Sequence, residues 1–393
     1  MKFNRFLFNL FHFSVSIWLV VLSVSSVVAQ QPIIVIEGSQ KVAVAVEKTS
    51  GPNADVTRRV LENDFRMNSR TEIVKIEQAL FTVSVVDHAN GITGTLKDEK
   101  GKKLFSENFA DDWRRATHRF VDKVILTITG APGIASTRVT FVSAHTGNKE
   151  IYIMDIDGAN VRQLTNDKSI SLGPKFSPSA ESIAYTSYKS GYPDVWVIDL
   201  INKRRRSVSF YPGINTAPAF SPDGFKLAVT LSKDGNTELY TINANGGSPT
   251  RLTKTRGVEA SPTWSPKGNE IAYISDDRGT PQIMIINSDT RAVRRFRTNS
   301  TYTTEPQWSP DGKKFVYSIR TAGQSQIGVS EIATTQQKIL TTSGLCESPS
   351  WCRDSRHIIF SRRGRLYLLD SVSGEDTAIN INLNHCTEPY SSK

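Results

Sequence analysis

From residue 138 onward, apolar residues come in runs of three or four, each set between polar turns. Ile183-Ala184-Tyr185, Leu227-Ala228-Val229, Ile271-Ala272-Tyr273, Phe315-Val316-Tyr317 and Ile358-Ile359-Phe360 are such runs. Short apolar runs bounded by Gly, Pro, Asn and Asp predict strands. A tight-turn sequence stands ahead of each. In Ser221-Pro222-Asp223-Gly224 the proline presets φ at the second turn position, aspartate tolerates the third, and glycine accepts positive φ after it. Before the turn comes a proline and then an aromatic, as in Pro218-Ala219-Phe220.

That marker proline recurs at 174, 218, 262, 306, 349 and 389, at intervals of 44, 44, 44, 43 and 40 residues. Each copy continues in the same order, through the apolar run, a polar turn, a strand such as Val195-Trp196-Val197-Ile198 or Leu366-Tyr367-Leu368-Leu369, and a short last strand such as Arg251-Leu252-Thr253. Four strands in about 44 residues is the content of a β-propeller blade. Residues 138–165 supply strands two to four of a blade but lack the opening strand, and the chain ends on an opening strand alone, at 388–392. Joining the two completes one blade from both ends of the array. The expected architecture over 138–393 is therefore an all-β six-bladed propeller closed by the C-terminal strand, which removes free sheet edges.

Residues 30–135 carry a different pattern. Lys41-Val42-Ala43-Val44-Ala45-Val46 is nearly all apolar, as in a strand buried on both faces. Asp55 caps an expected helix with Val56, Val60, Leu61 and Phe65 at helical spacing. A strand over 79–86 and a hairpin around Lys100-Gly101-Lys102 follow. Asp111 or Asp112 then caps a second helix with Trp113, Ala116, Phe120 and Val124 on one face, and Gly130-Ala131-Pro132-Gly133 forms a linker. This is a small α/β domain without a phosphate loop, metal spacing or nucleophile elbow.

Lys2 and Arg5, an apolar run from Phe6 to Val28, and small residues at Val27-Val28-Ala29 have the form of a secretory signal peptide at 1–29, cleaved after Ala29, the alternative being an uncleaved membrane anchor, since the run is close to the roughly 20 apolar residues of a span. Its removal takes the formal charge from +10 to about +8 (10 − 2) and leaves an exported chain expected to be monomeric and not membrane-spanning. A basic balance suits nucleic acid, anionic envelope polymers or an acidic partner. No stacking-and-basic motif is present, so nucleic acid is not expected.

Candidate chemistry is sparse. Ser177, Ser221, Ser265 and Ser309 are turn residues with no nucleophile elbow around them. The histidines at 12, 88, 118, 145, 357 and 385 are scattered without ligand spacing, so neither a metal set nor a cofactor is expected. The cysteines at 346, 352 and 386 are an odd number for an oxidising compartment. Cys346 and Cys386 each stand three residues before a marker proline, and the sequence leaves open whether they form a disulfide or stay as buried thiols. Lys203-Arg204-Arg205-Arg206 and Arg291, Arg294, Arg295 and Arg297 read as solvated blade rims, or else as a patch for an acidic partner.

The signal peptide, small α/β domain and six Pro-x-aromatic-Ser-Pro-Asp-Gly blades, in this order and with a composite blade, resemble the TolB family of the Tol-Pal envelope system. The resemblance spans essentially the whole mature chain. It implies a non-enzymatic periplasmic scaffold that supports outer-membrane integrity and constriction at cell division. A Pal-like outer-membrane lipoprotein would bind at one mouth of the propeller channel, through Ile214, Asn215, Thr216, Ala217, Ala260 and Ser261. A TolA-like inner-membrane protein would take the N-terminal peptide Gln31, Pro32, Ile33, Ile34, Val35, Ile36, Glu37 and Gly38. The sequence departs from the pattern in having the apolar Ile214 where a polar residue is expected, Ser179-Ala180 for Asp-Gly, and Cys352-Arg353-Asp354-Ser355 in the last full blade. The alternative is a secreted propeller enzyme or glycan binder that uses the channel. It requires titratable groups convergent at one mouth.

Overall fold

Apolar strand content at the start of the described chain builds a five-stranded sheet. The computed structural model describes residues 40–393; the expected signal peptide and the peptide 31–38 lie outside the described residues. Strands β1 (Val42–Ser50), β2 (Thr71–Ile73), β3 (Phe81–His88), β4 (Gly91–Asp98) and β5 (Lys103–Ala110) are ordered β2-β1-β3-β4-β5. β1 runs parallel to both its neighbours, and β3-β4-β5 is an antiparallel meander. The near-continuous apolar stretch of β1 is explained by this inner position, with Val44, Ala45 and Val46 all buried.

Helix α1 (Ala54–Met67) lays Val60, Leu61 and Phe65 on the sheet. Its N-cap is Asn53 rather than Asp55, which falls in the first turn, and Val56 faces solvent at the edge of the apolar stripe. Helix α2 (Trp113–Thr129) is capped by Asp112, whose side chain accepts from the Arg114 N–H at 3.1 Å, and it ends at Gly130 with φ +70°. Phe120 of α2 rests on Gly94 of β4. A Cβ there would stand 2.3 Å from the Phe120 ring, so only glycine permits this approach.

Six four-stranded antiparallel sheets follow. Five are built from consecutive strands. The sixth joins the last strand, Cys386–Ser391, to β6 (Arg138–Ser143), β7 (Glu150–Asp155) and β8 (Arg162–Gln163). Cys386 pairs with Ser143 and Ser391 with Val139, as the surplus and missing strands require. The Arg138 N–H donates to Ser392 Oγ at 2.9 Å, which locks the end of the chain to the start of the ring. Side chains of the second strands fill the space between blades, with Phe141, Tyr185, Tyr273, Tyr317 and Phe360 all buried. The Trp264 indole N–H reaches the Ala219 carbonyl of the preceding blade at 3.1 Å.

The N-terminal domain meets the propeller at the turns between first and second strands and between third and fourth. The irregular turn of the last full blade supplies most of these contacts. Arg353 donates to Ser136 Oγ at 3.1 Å. His357 holds Asp354 at 2.7 Å through Nδ1 and Ser69 Oγ at 3.0 Å through Nε2. Burial by itself would raise the Asp354 carboxyl, but His357 and the backbone N–H groups of Arg356 and His357 hold it at about 2. The departure from Asp-Gly at 352–355 is thus a docking turn. The other departure, Ala180, adopts φ +56° in glycine's place and accepts from Arg138 through its carbonyl.

Among the described residues no helix is long and apolar enough to cross a membrane. Deleting residues 386–393 is expected to lower the melting temperature and expose β6, read as dye binding and faster proteolysis within 138–165. Melting and proteolysis unchanged from the full chain would show that the closing strand does not hold the ring.

Candidate functional site

The six inner strands share one local conformation around the marker proline. Each begins with a fully buried residue: Ser171, Asn215, Glu259, Thr303, Cys346 or Cys386. Two positions later the residue just before the proline enters the left-handed region. These are Gly173 (φ 59°), Ala217 (52°), Ser261 (50°), Glu305 (52°), Ser348 (53°) and Glu388 (51°). Proline cannot donate to the ladder, so it and the residue before it face a single residue of the second strand, and the register skips there in every blade. A left-handed non-glycine residue costs roughly 1–2 kcal/mol, and five of these six are not glycine. The strain persists because the bulge turns each inner strand into the channel wall.

The bulges ring a cavity of about 250 Å³ that opens at the mouth away from the N-terminal domain. Carboxylates from two blades cap the bulge of the next. Glu305 accepts from the Ser348 N–H at 2.8 Å, Ser348 Oγ at 2.7 Å and Ser318 Oγ at 2.7 Å. Glu388 accepts from the Gly173 N–H at 2.6 Å. Thr186 Oγ1 does the same for the Ala217 N–H at 3.2 Å. Burial pushes the Glu388 carboxyl above the usual range, against the Gly173 hydrogen bond and Lys149. Glu347 is raised by burial and by Glu305. Lys175 lies 4.5 Å from the centre of the Tyr390 ring on the same wall. With three donors on its oxygens, Glu305 is arranged to position backbone, and the mouth offers acceptors and small side chains to a docking surface.

Of the residues expected at the mouth, Thr216, Ala217 and Ser261 line the cavity. Ile214 stands outside it, 40% exposed. Asn215 is fully buried: its Oδ1 accepts from Ser209 Oγ at 2.8 Å and the Tyr211 N–H at 2.9 Å, so its side chain braces the loop before the strand. Ala260 is half-buried beside the cavity rather than on its lining. Sequence reading missed Glu305 and Glu388. Their signal was the position before the proline, where the six copies carry Gly, Ala, Ser, Glu, Ser and Glu.

Cys346 and Cys386 are not joined. All three cysteines are free and buried. Each of the pair opens the inner strand of its own blade and turns its thiol onto its own loop, at Ser343 O (3.4 Å) and Leu383 O (3.6 Å). The basic runs stand exposed on outermost strands, where Arg205 pairs with Asp167 at 2.6 Å and Arg294 with Glu270 at 2.9 Å.

The opening position also holds Glu259, beside Glu238 of the preceding blade. Glu238 Oε1 is bound by Arg251 at 2.9 Å, and the second oxygen of each glutamate has no hydrogen-bond partner among the described residues. Burial, with Glu238 adding to it, pushes the Glu259 carboxyl up to about 7. A folded-state value above the unfolded one means that its contribution to stability is complete below about pH 4 and is lost as pH rises through about 7. Stability of the protein is therefore expected to fall as pH rises from about 4.5 to about 7 and to level off above that, by no more than a few kcal/mol. Glu259→Gln should flatten that fall in denaturant titrations; an unchanged pH profile would show that Glu259 does not hold the proton.

The family model described as the TolB beta propeller domain matches residues 126–385. Curated relatives named Tol-Pal system protein TolB include one from Geobacter sulfurreducens, 42% identical over 87 residues, covering 21% of this chain and 20% of the relative. One from Roseobacter denitrificans is 39% identical over 121 residues, covering 28% and 27%. The chain is thus aligned to about a fifth to a quarter of the length of these relatives. The crystal structure of TolB from Acinetobacter baumannii superposes with a TM-score of 0.81 over 90% of this chain and 97% of that one, at 24% identity, a likeness of fold. By the matched propeller, the chain belongs to the TolB beta propeller family.

Proposed function

We propose that this chain is a non-enzymatic scaffold of the Tol-Pal envelope system in the periplasm. In this reading the channel mouth receives a Pal-like lipoprotein, and the peptide 31–38 receives a TolA-like protein. The observation that carries it is an apolar collar. The residue just before each inner strand is Ile170, Ile214, Val258 or Leu345 in four blades, and these are 43%, 40%, 45% and 48% exposed. Ile214, apolar where a polar residue was expected, is one member of this ring. Exposed large apolar residues gathered around an opening mark an interaction site.

Inside the collar lie the small Ala217 and Ser261 and the two capping carboxylates, so a partner meets an apolar rim and a polar floor. Exposed apolar residues around an open mouth suit a protein surface, whereas a small substrate is held in an enclosed, mostly apolar cleft. The N-terminal domain sits at the opposite end and leaves the mouth open. Occupancy there would bear on the N-terminal peptide through the docking turn at 352–357, and coupling of the two partners would then be reciprocal.

Ile214→Asp or Leu345→Asp is expected to weaken capture of a peptidoglycan-binding lipoprotein from envelope extract at least about tenfold, the scale of an interface hot spot. The fold should be unaffected, since these side chains are at the surface. Equal capture by both variants would remove the mouth as the docking site. Removing residues 30–38 should abolish capture of the TolA-like protein and leave the lipoprotein bound.

A further inference from the structure

Where α2 crosses the propeller, a histidine and carboxylates from both domains converge. His118 is 2% exposed, and its Nδ1 lies 2.6 Å from Asp64 Oδ2 of α1. Burial opposes a charge on this ring, but Asp64, Asp157 and Asp155 raise its pKa above the usual imidazole range, so a metal ion would displace the proton from Nε2. Nε2 points across the domain boundary at Asp157, 4.0 Å away, and has no hydrogen-bond partner among the described residues. Asp155, at the end of β7, completes the group. One ligand atom each from His118, Asp155 and Asp157 lies within 4.8 Å of the others.

We propose that His118, Asp155 and Asp157 form a binding site for one divalent transition-metal ion of the zinc class, bridging the two domains. A buried imidazole nitrogen left without a hydrogen-bond partner is unfavourable as it stands, and a cation held between it and the two carboxylates would satisfy all three groups. An imidazole with two carboxylates suits zinc, cobalt or nickel, whereas calcium and magnesium prefer all-oxygen sets. Bonds of about 2.0–2.2 Å place tetrahedral ligands roughly 3.4 Å apart, so the three groups need to close by about an ångström, and water takes the fourth place. Asp64 is the supporting carboxylate that fixes the tautomer and orientation of a ligand histidine.

The ion has competitors. Arg114 pairs with Asp157 Oδ2 and would swing aside, while Asp157 Oδ1 keeps its bond from the Ala159 N–H at 3.0 Å. Asn160 donates to Asp155 Oδ2 at 2.7 Å, and Arg138 lies close enough to Asp155 to share its charge. Bound there, the ion would pin α2 to the turn after β7 at the end of the ring opposite the collar.

The test titrates the metal-free full chain with Zn²⁺ by calorimetry and with Co²⁺ by visible absorption. One equivalent is expected, with the ligand-field bands of four- or five-coordinate cobalt. His118→Gln should weaken uptake more than about tenfold and Asp64→Asn by about 10- to 100-fold, as loss of a supporting carboxylate does. No saturable one-equivalent uptake by the folded chain, equal affinity in His118→Gln, or equally tight uptake of Ca²⁺ would each overturn the site. If His118→Gln does not fold, Asp155→Asn decides between the same outcomes, since that side chain lies on the propeller side.

Discussion

The structure depends on one antiparallel pairing, that of residues 386–391 with β6. Through it, two chain segments nearly 250 residues apart become neighbours, and a row of six sheets becomes a ring in which β6 is no longer an unpaired edge. The buried aromatics of the second strands lie between blades rather than within one, so each blade is stabilised mainly by its neighbours. Opening the ring anywhere would uncover two such surfaces. This explains why Ser391 of the closing strand and Ser392 after it are buried.

Sixfold repetition gives the ring its shape, and departures from repetition give it its particular surfaces. The same left-handed bulge precedes the marker proline in every inner strand, but the side chain carried there varies. Where it is glutamate, it reaches sideways to cap the next bulge. Where it is Ala217 or Ser261, it leaves room. The turn at 352–355 loses its glycine and becomes the seat of the N-terminal domain, through Arg353, Asp354 and His357. The two ends of the ring thereby differ: one carries the N-terminal domain on turns at its rim, and the other is ringed by the apolar collar.

The blade count, the composite blade, and the two helices and longer strands of the small domain were legible in the sequence, whereas the three-residue β2 was not. Their signals are local: a turn motif at a fixed interval, alternation of apolar runs, and caps at helix ends. Ala217 and Ser261 could be placed because a repeat reveals where its copies disagree. What failed were inferences about side-chain direction. Asn215 turned inward and Val56 outward, while the question left open at Cys346 and Cys386 was decided by each thiol facing its own loop.

By itself, then, the sequence determined the fold, because propeller blades are specified by short-range turn and strand chemistry repeated six times. Tertiary structure alone decided which side chains share a space. The collar of Ile170, Ile214, Val258 and Leu345 exists only when residues 44 or more apart are bent into a circle. The meeting of His118 with Asp155 and Asp157 has no spacing to read, since α2 and β7 belong to different domains and only their packing brings imidazole and carboxylates within reach. Period is a property of the chain, and convergence is a property of the closed ring.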